Sequence, residues 1–128
     1  MITYLAGSVL NNKDLNRGDT HRAQACVLLV NKNSKYANDD DYKNILNALS
    51  IKKSVYDINK GGKDDEKCNM KIIMQLIKPE SKLLYFKSLN LSPLADQLII
   101  VEEIKMNLLA KSCFAPGLIT MISNLVAS

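Results

Sequence analysis

Three consecutive acids, Asp39-Asp40-Asp41, form the densest set of oxygen donors in this chain. Carboxylate oxygens suit a hard cation such as calcium, which takes about six to eight of them. Successive residues of a helix point in different directions, so one or two of these acids at most reach a single ion. A second reading is local. Asn38 then caps a helix, and the aspartates complement the positive end of its dipole.

Other residues with chemical potential are scattered. The cysteines, Cys26, Cys68 and Cys113, are far apart and odd in number, and the single histidine is His21. Without a Cys-x-x-Cys pair or a His–Cys cluster, a zinc site lacks its ligands, and a reduced, cytosolic setting is favoured. Cys113 has Lys111 nearby but no histidine to activate it, so packing is its expected role. His21 sits among Arg17, Asp19 and Arg22 and reads as a solvated surface residue. Gly61-Gly62-Lys63 lacks phosphate-loop spacing and a following Ser or Thr. Nor is there a Gly-x-Gly-x-x-Gly turn to bind a dinucleotide. No nucleophile, base and oxyanion donors can be grouped, so neither a catalytic nor a cofactor-binding residue is assigned and an enzyme is not expected.

Composition bounds the scaffold. A chain of 128 residues, 47% apolar and 23% charged, is one soluble domain at most. Five Tyr, two Phe and no Trp leave the core to aliphatic side chains. The net charge is +4, with most lysines beside Asp or Glu rather than in a basic stripe, so nucleic acid is not an expected partner. No apolar run reaches about 18 residues, so no membrane span is expected within the sequence.

The elements follow from patterning. Residues 2–5 read as a strand with no lead-in, as though cut from a larger protein. A short polar helix is expected near 14–22. The continuous apolar run 25–30 suits a strand buried on both faces of a parallel sheet. Tyr42, Ile45, Leu46 and Leu49 fall at i, i+3, i+4 and i+7, which predicts a helix carrying that stripe. Residues 54–69, rich in Lys, Asn, Asp and Gly, read as a mobile loop. A strand over 70–77 follows, and Pro79 opens a helix, where its missing N–H costs nothing, that runs through Leu91. Residues 98–101 form the last strand, and Glu102-Glu103 start a helix reaching about Cys113. Ala115-Pro116-Gly117 breaks it before a final helix over 118–126. Such alternation predicts an α/β fold with a parallel sheet.

The final helix carries Leu118, Ile119, Met121, Ile122, Leu125 and Val126, interrupted by Thr120, Ser123 and Asn124. Each such side chain gains roughly 1.5–3 kcal/mol on burial, and one face of its own sheet cannot satisfy them all. A partner is required. Leu118, Met121, Ile122 and Leu125 are its expected interface residues, meeting a second copy across a two-fold contact so that this segment is dimeric.

Several stretches carry a resemblance by their order and spacing. They are Gly7-Ser8-Val9-Leu10-Asn11 before Asp14-Leu15, the run 23–29 ending in Asn31-Lys32, Asn44-Ile45, Ser50-Ile51-Lys52, and Ile72-Ile73-Met74-Gln75-Leu76. Glu103-Ile104-Lys105 then leads to the most specific stretch, Leu109-Ala110-Lys111-Ser112-Cys113-Phe114-Ala115-Pro116-Gly117, followed by Thr120-Met121 and Asn124-Leu125. Together they resemble the first RCK (regulator of potassium conductance) domain of BK-type, Slo-family calcium-activated potassium channel alpha subunits.

The resemblance implies a partial Rossmann-like, doubly wound parallel sheet, the C-terminal half of an RCK domain, followed by a helix-turn-helix dimerisation element. Residues 1–115 would be the Rossmann-like portion, with a low-complexity insertion at 54–69, and residues 116–128 the start of the helical crossover. In a sheet of order 3-2-1-4-5-6 the chain begins at strand 3, which leaves residues 2–5 without a neighbour. The implied function is a cytosolic gating-ring module that couples calcium binding to pore opening. Its partners are other RCK domains of the same tetrameric channel, which sits in the cell membrane through a pore domain absent from this chain. Calcium is implied for the complete protein. Only Asp41, with Asp40 as a weaker candidate, aligns with the family's acidic segment, and Tyr36-Ala37-Asn38 replaces its first part, so no complete ion site is expected. Ser92-Pro93-Leu94-Ala95 stand where the family has a Trp-containing segment. The alternative is a soluble, nucleotide-binding KTN-type regulator of potassium uptake, which needs a glycine-rich turn that this sequence lacks.

Overall fold

Apolar runs with strand character occur three times downstream of residue 24, each followed by helical periodicity, and they pair as a parallel sheet. The computed structural model describes residues 2–31, 36–59, 70–89 and 96–127. Helix α1 (Asn12–Arg17) and a short 3-10 turn (Thr20–Arg22) precede strand β1 (Ala25–Leu28). Then come α2 (Ala37–Asn59), β2 (Lys71–Leu76), α3 (Pro79–Leu89), β3 (Gln97–Ile100), α4 (Val101–Phe114) and α5 (Leu118–Val126). The sheet order is β1-β2-β3, with Cys26 beside Ile72, and Leu28 beside Met74 beside Leu98.

One face of this sheet is the core. Ile72, Met74 and Leu76 are fully buried there, with Cys26, Leu28, Leu98 and Ile100 alongside. Ile45, Ala48, Ile51 and Val55 of α2 and Tyr85 of α3 complete the cluster. The opposite face is largely open within the described residues, with Ile73 and Gln75 of β2 half-buried. Val27 is 59% exposed and Leu29 73%. The expectation that run 25–30 is buried on both faces therefore holds for one face only.

Four local expectations are corrected. Residues 2–5 form no strand, and Ile2 and Tyr4 are exposed; a strand needs a hydrogen-bonding neighbour, and β1 and β3 both pair with β2 instead. The polar helix over 14–22 is split after Arg17, where Gly18 and the left-handed Asp19 (φ 49°) break it. Asn38 lies inside α2 rather than capping it, because the helix already begins at Ala37. Residues 54–59 belong to α2, where Val55 is buried; residues 60–69 of the expected loop and Leu91 to Ala95 lie outside the described residues.

The stripe on α2 is also rotated from the expected one. Tyr42 and Leu46 are exposed, whereas Asp41, Asn44, Ile45, Ala48, Ile51 and Val55 face inward. Asn44 Nδ2 donates to the Gln75 carbonyl at 3.3 Å, which makes its burial tolerable. Pro79 does open α3, and α4 begins directly where β3 ends, at Val101.

A second polar group is built into the core. Asp96, just ahead of β3, accepts from the Ile72 N–H at 3.1 Å and from the Tyr85 hydroxyl at 2.9 Å, and is paired with Lys52 Nζ. One carboxylate thus joins α2, β2 and α3. Burial, and then the Asp96 acceptor, push the Tyr85 phenol above its ordinary range. The folded chain therefore keeps that proton where the unfolded chain releases it from about pH 10. Above about pH 10 the folded state binds more protons, so stability falls as pH rises.

Replacing Tyr85 by Phe should cost about 1 kcal/mol at neutral pH and flatten the alkaline loss of stability. Urea unfolding of both proteins between neutral pH and about pH 11 checks this. Identical alkaline slopes would contradict it.

Candidate functional site

Asp41 sits one turn into α2, and its side chain is fully buried. A buried carboxylate is costly unless donors replace its water. Three do so here. Asp41 Oδ1 accepts from the Ile77 N–H at 2.8 Å, and Oδ2 accepts from the Lys78 N–H at 2.9 Å and the Ser81 hydroxyl at 2.8 Å. These donors surround the start of α3 at Pro79, so Asp41 of one helix anchors the chain as it enters the next. The Ile77 carbonyl in turn accepts from the Glu102 N–H at 3.2 Å, in the first turn of α4.

Asp40 faces other surroundings. Its Oδ1 lies 3.8 Å from Lys43 Nζ, and its Oδ2 is buried with no hydrogen-bond partner. Asp39 is exposed in the first turn of α2. Among the described residues, no three or more His, Cys, Asp or Glu side chains stand together as a metal set. Of the cysteines, Cys26 is half-buried, with its thiol pKa raised by burial, and Cys113 is exposed; both are free, while Cys68 lies outside the described residues.

The third feature is the α4–α5 hairpin, which has no buried residue in either helix. Ile104, Met106, Leu109, Phe114, Met121 and Leu125 are exposed on it, Phe114 by 91%. Leu118 and Ile122 are half-buried. The turn depends on Gly117, whose φ of 90° is a conformation that other residues adopt only with strain. Leu118 N–H donates back to the Ala115 carbonyl at 3.2 Å, closing the turn.

Of the residues singled out in the sequence, Asp41 became part of a hydrogen-bonded junction and Leu118, Met121, Ile122 and Leu125 were brought onto one projecting helix. Asp96, Lys52, Tyr85 and Ser81 were not foreseen. A lone acid immediately before the apolar strand Gln97–Ile100 was the available signal for Asp96.

A parallel three-stranded sheet with α2 and α3 on one face, followed by α4 and α5, defines a Rossmann-like α/β module. A family model for the calcium-activated potassium channel slowpoke-like RCK domain matches residues 1–90, and one for the calcium-activated BK potassium channel alpha subunit matches residues 96–128. The chain belongs to the slowpoke-like RCK domain family. It is 33% identical over 128 residues to the calcium-activated potassium channel slowpoke of Drosophila melanogaster, covering 98% of this chain and 10% of that protein. The same figures hold for the calcium-activated potassium channel slo-1 of Caenorhabditis elegans. The solved structure of the human SLO3 gating ring superposes with a TM-score of 0.69 at 27% identity, over 89% of this chain and 19% of that one. The chain thus spans about a tenth of the length of these curated relatives. A KTN-type regulator is not favoured by these matches.

Changing Asp41 to Ala would leave the buried Ser81 hydroxyl and the half-buried Ile77 and Lys78 amides without their acceptor, at about 1–3 kcal/mol for the buried donor and less for each amide, which water can reach. Its unfolding free energy should fall by about 2 kcal/mol or more, and that of Ser81→Ala by about 1 kcal/mol. Urea titrations followed by circular dichroism measure both. A cost below about 1 kcal/mol for Asp41→Ala would refute the junction.

Proposed function

We propose that this chain is part of a cytosolic gating ring, in which RCK domains of one channel assemble and transmit ligand binding to a potassium pore in the cell membrane. The observation that carries this reading is the α4–α5 hairpin. It exposes a set of large apolar side chains and buries none, a condition that water tolerates poorly. The partner is another RCK domain of the same tetrameric channel, met across a two-fold contact with Leu118, Met121, Ile122 and Leu125 at its centre. Residues 1–115 act as the Rossmann-like portion and residues 116–128 open the dimerisation element. The work is binding and transmission rather than catalysis. No helix among the described residues is long and apolar enough to cross a membrane, so the pore is contributed by other segments.

Calcium needs six to eight oxygens, and among the described residues no three or more His, Cys, Asp or Glu side chains stand together to supply them. Asp41, with Asp40 as the weaker second, is what this chain would lend to a divalent-cation site completed elsewhere. Asp41 is already held by three donors, which weighs against a strong site on this segment alone.

Potassium currents recorded from the complete gene under stepped cytosolic calcium test the reading. Currents should grow with calcium in the parent and be lost in Ile122→Asp, and light scattering should find the parent assembled and the variant dissociated or insoluble. Calcium-independent currents would contradict the function; a parent that stays monomeric at micromolar concentration would contradict the hairpin's role.

A further inference from the structure

Strand β3 runs into α4 with no intervening residue, and neither α4 nor α5 buries a side chain. Among the described residues the shelter on α4 is limited to the half-buried Val101, Glu102, Leu108 and Ser112, so the hydrogen bonding at its root weighs heavily in the direction in which the hairpin leaves the body. The first turn of α4 is tied sideways through the Glu102 N–H, which donates to the Ile77 carbonyl. Ile77 is itself held from the other side, because its N–H donates to Asp41 at 2.8 Å and the next N–H, of Lys78, does so at 2.9 Å. Residue 77 is thus a link between the buried carboxylate on α2 and the root of α4.

We propose that Asp41 is the positioning residue that sets the angle of the α4–α5 hairpin against the sheet, acting through Ile77 and Glu102. Whatever draws the Asp41 carboxylate away from the Ile77 and Lys78 amides frees the root of α4 and re-aims the hairpin. The leverage is large. Helix α4 has 14 residues, a length of about 21 Å, so a tilt of about 10° at its root moves its far end by about 4 Å. The end of α2 that carries Asp39 and Asp40 beside Asp41 is where a charge brought near would act on that carboxylate. This pivot belongs to the chain itself and does not depend on which partner the hairpin meets.

Spin labels at Lys53→Cys on α2 and Ser123→Cys on α5, both exposed positions, report the angle in the full chain with its native cysteines replaced. Asp41→Asn keeps the size of the side chain but offers an amide in place of one acceptor oxygen. Its label distance should shift or broaden by at least about 3 Å. Amide exchange at Glu102 should rise about tenfold together with exchange at Ile77 and Lys78. Ser81→Ala, which leaves both amide bonds in place but slackens the carboxylate, should give a smaller change of the same kind and decides the matter if Asp41→Asn does not fold. Tyr85→Phe, which loosens the core away from Ile77, should leave the distance unchanged. The pivot is overturned if Ile77 and Lys78 lose protection while Glu102 and the label distance do not change. It is equally overturned if Tyr85→Phe moves the hairpin as far as Asp41→Asn does.

Discussion

Strand β2 is the middle of the sheet, and the peptide groups near its two ends are held by two buried carboxylates. Asp96 takes the Ile72 N–H near its start, and Asp41 takes the Ile77 N–H just past its finish. Desolvating a carboxylate costs several kcal/mol, so each is stable only where all of its donors arrive together. Lys52 of α2 and Tyr85 of α3 meet at Asp96; Lys78 and Ser81 meet at Asp41. The placement of α2 over Ile72, Met74 and Leu76, and of α3 beside it, follows from meeting both conditions at once. Hydrophobic contact alone would allow those helices to slide; the paired carboxylates fix their register.

What the chain leaves uncovered is as informative as what it buries. Parallel sheets are normally covered on both faces, yet Val27 and Leu29 stand exposed on the second face, and the α4–α5 hairpin stands clear of the core. Both surfaces are open among the described residues. Membership of a family that includes channels about ten times the length of this chain gives that openness a context.

Much of the architecture was legible in the sequence because its signals are local. Pro79 marks a helix start, the Ala115-Pro116-Gly117 turn marks a break, and the stretch from Leu109 to Gly117 carries the family resemblance. The misread parts depend on tertiary partners. The inward face of α2 includes Asp41, Asn44 and Ser54, polar residues that a hydrophobic stripe assigns to solvent. Residues 54–59 have the composition of a loop, yet Val55 fills the core and holds that turn in the helix. Residues 2–5 have strand-like side chains but no neighbouring strand to pair with. The acids at 39–41 suggested ion chemistry, and only the fold reveals that Asp41 is engaged with the amides ahead of α3.

The exposed apolar side chains of α4 and α5 are proposed to form the assembly surface. Hydroxyl-radical footprinting of the full chain, at concentrations where it assembles and where it does not, tests that directly. Met121, Leu125 and Phe114 are open to solvent in the single chain, so assembly should protect them strongly while Tyr42 and Leu46 on the outer face of α2 stay reactive. Equal oxidation of Met121 and Leu125 in the assembled and dissociated forms would contradict it.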